Sequence, residues 1–451
     1  MKIKRQFFRK EKDKETKKEE IEIENIVWGG KGIGRIKGKV YFVQRSVPGD
    51  RLLIKIVKEK KDYGEGEIEK IIFPSQERVS PICKDFRSCG GCQLQMMNYK
   101  SQVDSKEKMA KEILRRWTNK ARFNKLVPME NPFEYRHSGD FHCFFSNGKL
   151  LCGFYEKESH RIVDFENCHL FSKEFNQKLK KIKKFLENCQ FDFVKSFNLS
   201  CGEDEKEFVA TFAVKDEQKE ISQFLKLKDE ANLSGVAVKD KSGKTILKNG
   251  ECFLSYSIKK REGLLERDIK FKIDAESFSQ SNFEMNAKLV EEALRLANLS
   301  SYENVLELFS GIGNFTMALA LKCKEVVAVE KSETAVEDSK FNSTLNSIYN
   351  IRHIKGDVQE QIGKLISSSA KFDFVLLDPP RSGAFEVIES IASLNPKRVV
   401  YVSCNLPTLE RDLRKFGEKG FFPQEFSFFD LFPQTYGIEN VVLLRNENEK
   451  N

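Results

Sequence analysis

Short runs of alternating apolar and polar residues open the chain: Ile21 to Val27, Lys39-Val-Tyr-Phe-Val43, Arg51 to Val57 and Glu67 to Phe73. Gly29-Gly30-Lys31-Gly32-Ile33-Gly34 and Pro48-Gly49-Asp50 lie between them. Strands this short at this spacing predict a small barrel. The glycine run has no Gly-Lys-Ser/Thr ending and no following helix pattern, so it does not read as a phosphate loop. From about Gln93 to Arg267 the pattern mixes. Leu94 to Trp117 and Lys173 to Glu187 read as amphipathic helices, and Phe208 to Val214 and Gly235 to Val238 as strands. From Asn286 onward strands and helices alternate, the signature of a doubly wound sheet. Its strand candidates are Asn304 to Leu308, Glu325 to Val329, Phe372 to Leu377, Arg398 to Ser403 and Asn440 to Leu444.

At 451 residues the chain has room for about three domains. It is 40% hydrophobic and 32% charged, an ordinary balance for a protein with a real core. The first 20 residues are charged and lack an apolar stretch, so they read as a flexible arm rather than a signal peptide. No apolar run is long enough to span a membrane, and a cytoplasmic protein is expected. The formal net charge of +9, from 77 Lys+Arg against 68 Asp+Glu, suits an anionic partner such as nucleic acid. A barrel with Lys37, Lys39, Tyr41 and Phe42 exposed would bind single strands by charge and stacking.

The chemistry gathers where strands stop. Arg398-Val-Val-Tyr-Val-Ser403 reads as a buried strand, and Cys404-Asn405 follows it. Open α/β sheets bind ligands outside the carboxyl ends of their strands, so Cys404 stands where a nucleophile meets substrate. The alternative is a small buried hydrophobe. The first strand of the sheet runs into Phe309-Ser-Gly-Ile-Gly-Asn-Phe315, whose Gly311 and Gly313 let a ligand approach the backbone. Thr316 fills the place where a dinucleotide site wants a third glycine, which favours S-adenosylmethionine over a pyrophosphate ligand. Glu330 ends the next strand, where an acid holds ribose hydroxyls. Asp357, after Arg352-His-Ile-Lys355, is placed for the adenine amino group.

Leu376-Leu-Asp-Pro-Pro-Arg381 ends the fourth strand. Amine methyltransferases generally put an aromatic after such a Pro-Pro pair, so Arg381 leaves carbon as the target. Carbon 5 of uracil becomes nucleophilic only after a thiolate adds to carbon 6, and its proton must then leave to a base. Arg381 is expected to draw the Cys404 thiol down towards neutrality. The only histidine of this region, His353, falls in a strand pattern, so a carboxylate base is expected. Glu439, in the loop Asp430-Leu-Phe-Pro-Gln-Thr-Tyr-Gly-Ile-Glu439, is the candidate.

Cys83, Cys89 and Cys92 stand together in Cys-Lys-Asp-Phe-Arg-Ser-Cys-Gly-Gly-Cys, with Cys143, Cys152 and Cys168 as later candidates for a fourth ligand. Four cysteines fit zinc or an iron–sulfur cluster. The single Cys-x-x-Cys hook favours the cluster, since zinc usually takes two.

These residues together resemble the RNA 5-methyluridine (uracil-5-) methyltransferase family over nearly the whole chain. The resemblance implies an α/β protein with a small all-β domain. After the arm 1–20 come an OB-like TRAM barrel for RNA at 21–78, a central α+β iron–sulfur domain at 79–270 and a Rossmann-like class I methyltransferase domain at 271–451. It implies Cys83, Cys89, Cys92 and Cys168 as ligands of a [4Fe–4S] cluster. It implies Cys404 as nucleophile and Glu439 as base. Gln280, on a strand through Phe278-Ser-Gln280, would contact S-adenosylmethionine together with Phe309, Asn314, Glu330, Asp357 and Asp378. A monomer acting on 23S ribosomal RNA is expected, with transfer RNA second. The rivals are a redox-sensing RNA-binding protein with an inert methyltransferase fold, and zinc in place of the cluster. Three positions depart from the family pattern: Leu406 stands where Ser-Cys-Asn-Pro has proline, Gly437 replaces a histidine, and Ser138-Gly139-Asp140 replaces a lysine after Tyr135-Arg136.

Overall fold

Five strands close the amino-terminal barrel in the order Lys18–Val27, Lys31–Ile36, Lys39–Gln44, Tyr63–Phe73, Arg51–Glu59, the last pairing back onto the first. Ile21, Ile23, Tyr41, Val43, Leu52 and Ile54 alternate with outward neighbours and fill its interior. The computed structural model describes residues 17–216 and 221–447, so residues 1–16 of the expected arm lie outside it. The first strand begins at Lys18, inside that arm, because Lys18, Glu19 and Glu20 pair with Lys55, Ile54 and Leu53.

Two expectations for the barrel are corrected. The glycine run is mostly strand: a Cβ on Gly32 would lie 2.0 Å from Ser46 Oγ, and one on Gly34 2.2 Å from the Glu22 carbonyl. Gly32 and Gly34 are there for close strand approach, while Gly29 and Gly30, at φ 93° and 74°, make the turn before them. Tyr41 is buried rather than exposed for stacking, and donates its hydroxyl to Glu59 at 2.8 Å. Phe42 is half-buried, edge-on to Tyr63 at 5.8 Å. Asp50, fully buried, accepts from the Val47 and Ser75 amides and from Arg78, and so satisfies the turn that closes the barrel.

The chain divides into two compact units, residues up to Pro81 with Gln93–Ser105, and Ile82–Cys92 with Lys106 onward. The second unit holds two large sheets. One has seven strands in the order Thr245–Gly250, Gly235–Lys239, Phe208–Val214, Val194–Cys201, Ser138–Ser146, Lys149–Tyr155, Ile162–Asp164. The helix Lys173–Asn188 contributes Phe175, Leu179, Ile182 and Leu186 to the core beside this sheet, at i, i+4, i+7, i+11. Each such side chain contributes about 2 kcal/mol of burial. Ser172 caps that helix by accepting from the Phe175 amide.

The other sheet has eight strands: Ile351–Lys355, Glu325–Glu330, Asn304–Leu308, Phe374–Leu377, Arg398–Ser403, Glu439–Asn446, Phe421–Phe429, Arg122–Val127. The first five are parallel, and chain order reverses at Asn304–Leu308, which opens a crevice at the carboxyl ends. Glu439–Asn446 runs antiparallel between its two neighbours. The edge strand Arg122–Val127 comes from the region the sequence reading gave to the central domain. It joins because Phe123 packs on Phe426 at 4.5 Å and its backbone covers an open sheet edge. Phe278 to Gln280 is irregular rather than strand; the strand stops at Asp274. No helix among the described residues is long and apolar enough to cross a membrane.

Candidate active site

Antiparallel register decides the central juxtaposition. Ser403 pairs with Asn440, so one step further Cys404 stands across from Glu439. Cys404 is half-buried at a strand end and Glu439 is only 2% exposed. Burial comes first in pushing the Cys404 thiol up to about 11; Glu439 and then Asp378 add to it, and Arg381 opposes. This corrects the expectation of an acidified thiol. Arg381 pulls in the expected direction but loses to burial and two carboxylates. At pH 7 such a thiol is ionised in about one molecule in ten thousand.

The carboxylates are themselves perturbed. Burial and then Asp378 push Glu439 well above its ordinary range, with Arg381 opposing. Burial pushes Asp378 up to about 7. Glu307, unnoticed in the sequence, is pushed up to about 8 by burial, opposed by the Thr316 hydroxyl and reinforced by Asp378 and Glu330. Its signal was a lone glutamate in the apolar strand Asn-Val-Leu-Glu-Leu. Carboxyl groups held this far up favour a cation beside them.

Phe309, Asn314, Glu330 and Asp357 also end or follow strands of the parallel sheet, whereas Gln280 follows a strand of a separate two-stranded sheet. Phe309, Gly311 and Gly313 take positive φ of 61°, 53° and 88° in the loop after Asn304–Leu308. A Cβ on Gly311 would meet nothing within 4 Å, so the backbone there is open to a ligand. Glu330 accepts from the Gly311 amide at 3.0 Å and the Ser332 amide at 2.7 Å, which fixes that loop against the second strand. Asn314 exchanges side-chain hydrogen bonds with Asn286, at 2.8 and 2.9 Å, and accepts from the Tyr256 hydroxyl at 3.1 Å. Asp357 caps the helix Val358–Ser367. Gln280 lies just before Asn282, which caps the helix Phe283–Ala297.

Residues remote in sequence hold the two working loops. Lys106, 324 residues before Asp430, donates to it at 2.6 Å and to the Phe432 carbonyl at 3.1 Å, both side chains being buried. Tyr135 donates to the Pro433 carbonyl and Asn282 to the Leu431 carbonyl. Together they pin the segment that leads into Glu439. The Arg381 carbonyl accepts from Asn405 Nδ2 at 3.1 Å and Thr408 Oγ1 at 3.3 Å. Pro407 sits in the first turn of the helix Leu406–Glu418, so the displaced proline still stiffens the start of that helix.

Cys83, Cys89 and Cys168 form a second group. Burial pushes all three thiols up, Cys168 to about 12, and Cys89 and Cys83 each raise Cys168 further. Cys89 Sγ accepts from the Gly91 amide, and the Gly90 amide donates to the Tyr155 carbonyl at 3.0 Å. A Cβ on Gly90 would lie 2.8 Å from that carbonyl. Asn176 brackets Cys168, accepting from its amide at 2.8 Å and donating to its carbonyl at 3.0 Å. Burial comes first in pushing Tyr135 up, and Cys92 and Cys168 both add to it.

Known proteins resemble this chain closely. An uncharacterized RNA methyltransferase of Caldanaerobacter subterraneus subsp. tengcongensis is 33% identical over 443 residues, 95% of this chain and 98% of its own. One from Thermotoga maritima is 30% identical over 94% of this chain and 98% of its own. The crystal structure of Pyrococcus abyssi tRNA (uracil-54, C5)-methyltransferase in complex with S-adenosyl-L-homocysteine superposes with a TM-score of 0.72. It is 24% identical and covers 94% of this chain and 100% of its own, so the fold is shared. The model of the tRNA (uracil-5-)-methyltransferase family matches residues 98–447. With most of its length matched and RNA methyltransferases among its relatives, the chain belongs to the tRNA (uracil-5-)-methyltransferase family.

Proposed function

We propose that the protein moves a methyl group from S-adenosylmethionine to carbon 5 of a uridine in RNA, through a covalent bond to Cys404. The observation that carries this reading is the strand register that sets Cys404 across from Glu439 at the carboxyl edge of the sheet. S-adenosylmethionine supplies an electrophilic methyl group on a cationic sulfur. Gln280, Phe309, Asn314, Glu330, Asp357 and Asp378 hold it in this reading, and the raised Asp378 and Glu307 suit its positive charge.

Cys404, as thiolate, adds to carbon 6 of the uracil ring. The displaced electron pair makes the ring an enolate, whose carbon 5 attacks the methyl group; the methyl–sulfur bond breaks and S-adenosylhomocysteine leaves. Glu439 then removes the proton from carbon 5. The 5,6 double bond re-forms as the carbon–sulfur bond breaks, which returns Cys404. For this step Glu439 enters as the carboxylate, the form that Arg381 favours, and burial strengthens its hold on the proton it receives.

Cys83, Cys89, Cys92 and Cys168 hold a [4Fe–4S] cluster in the same reading. The donor set fits: these are half-buried thiols, Cys89 raised by Cys83 and Cys168 by both, and a metal centre beside them would favour their thiolates. Since methyl transfer moves no electrons, the cluster shapes the RNA-binding surface, and the barrel binds RNA. The substrate is 23S ribosomal RNA, on the combination of barrel and four cysteines. Transfer RNA is the second reading, favoured by the family's name and by the Pyrococcus abyssi enzyme, a tRNA (uracil-54, C5)-methyltransferase.

Incubation with labelled cofactor and uridine-containing RNA should label carbon 5, and Glu439→Gln should trap a Cys404–RNA adduct that survives denaturation. Unlabelled RNA with the wild-type chain sinks the proposal. Mapping 5-methyluridine lost from ribosomal and transfer RNA in a deletion strain decides between the two substrates.

A further inference from the structure

One set of side chains assembles metal donors that neither methyl transfer nor the four-cysteine pocket uses. His137 immediately precedes the strand Ser138–Ser146, and Cys201 ends the strand Val194–Cys201. Ser200 pairs with Ser138, and the Cys201 amide donates to the His137 carbonyl at 2.8 Å, so the two residues lie side by side. Glu205 sits in the turn beyond, in the left-handed region at φ 55°, its amide donating to the Gly202 carbonyl at 3.2 Å. The acids on either side have other work. Glu203 accepts from the amide and hydroxyl of Ser257, and Glu207 from those of Ser255.

One donor atom each from His137, Cys201 and Glu205 lies within 4.8 Å of the other two. Cys201 Sγ is 3.5 Å from His137 Nδ1. A tetrahedral zinc ion with Zn–S of about 2.3 Å and Zn–N of about 2.05 Å needs these atoms about 3.6 Å apart. Nitrogen, thiolate and carboxylate are zinc's usual ligands, and three of them leave one position for water.

We propose that His137, Cys201 and Glu205 bind one Zn²⁺ ion, with water as fourth ligand. Binding releases the Cys201 thiol proton to solvent. The ion fastens the end of one strand to the start of its neighbour. The His137 amide also donates to the Ser281 carbonyl at 2.8 Å, and its ring packs on Phe283 at 4.5 Å. The ion therefore steadies the stretch beside Gln280 without touching a reacting atom.

Anaerobic titration of the full chain with Co²⁺, a spectroscopic stand-in for zinc, tests this. The wild type should develop a thiolate-to-cobalt charge-transfer band and tetrahedral d–d bands, both lost on adding Zn²⁺. Cys201→Ser should bind one ion fewer per chain and lose that ion's charge-transfer band. Glu205→Gln, in a half-buried turn where folding is little affected, should weaken the same site at least 10-fold. All four cysteines of the other pocket remain in both variants. Equal stoichiometry and spectra in wild type and Cys201→Ser overturn the proposal, as does a wild type with no charge-transfer band. The trio would then be a thiol–imidazole hydrogen bond beside an acid.

Discussion

Cys404 and Cys168 are both pushed up, to about 11 and about 12, and burial is the first cause in each. Their surroundings differ. Around Cys404 the further push comes from carboxylates, Glu439 and Asp378, and Arg381 opposes it from an exposed loop. Around Cys168 it comes from other thiols, Cys89 and Cys83, and Arg136 opposes. A thiol among carboxylates is relieved by any cation that enters, and a charged ligand can come and go. Thiols gathered among themselves would be relieved by a metal centre, as in the proposed reading. The two thiols are told apart by their neighbours.

The comparison breaks most visibly by exchanging losses. Cys404→Ala should lower methyl transfer by at least ~10⁴-fold with iron content and melting temperature unchanged. Cys168→Ser should instead lose the iron and the brown colour and destabilise the chain by ~3 kcal/mol, read from iron assay and thermal melts. If Cys404→Ala still methylates, the covalent route is wrong.

A smaller effect sharpens the electrostatics. The pH dependence of Cys404 alkylation should fall by about one pH unit with S-adenosylmethionine and by less with S-adenosylhomocysteine, which lacks the sulfonium charge. Arg381→Ala should move it the other way by about half a unit; an unmoved profile removes Arg381 from the account.

The smallest effect belongs to Glu307. Its carboxyl ordinarily titrates near 4.5 but holds its proton to about 8 in the fold. The folded chain therefore binds that proton more tightly than the unfolded one, and stability is lost as pH rises from about 4.5 through about 8. Glu307→Gln removes this loss, so its melting temperature should exceed the wild type's at pH 8.5 by a few degrees, worth ~1–2 kcal/mol, and by less at pH 6. Equal differences at both pH values contradict the assignment.

Much of the fold was legible where period and neighbours agreed. Asn304–Leu308 and Arg398–Ser403 match their expected bounds because short, largely apolar runs between turn residues permit little else. The strand Phe421–Phe429 was missed: Pro423, and polar residues at Gln424 and Glu425, interrupt its pattern. Arg122–Val127 was also missed, because only a sheet edge far later in the chain gives it a partner. The glycines of Lys31–Ile36 fell between the expected strands because the atoms they make room for, Ser46 Oγ and the Glu22 carbonyl, come from other segments of the barrel.

By itself the sequence determined which residue types end which strands, because apolar periodicity marks a buried strand and polarity marks its stop. Cys404, Asp378 and Glu330 were therefore found as residues at the carboxyl edge. Only the tertiary structure decided their charge states and company. Register set Glu439 across from Cys404, burial raised the thiol that Arg381 was expected to lower, and Lys106 and Tyr135 came from far upstream to hold the loop before Glu439. Proton affinity depends on what surrounds a group in three dimensions, and neighbours along the chain supply only a small part of that.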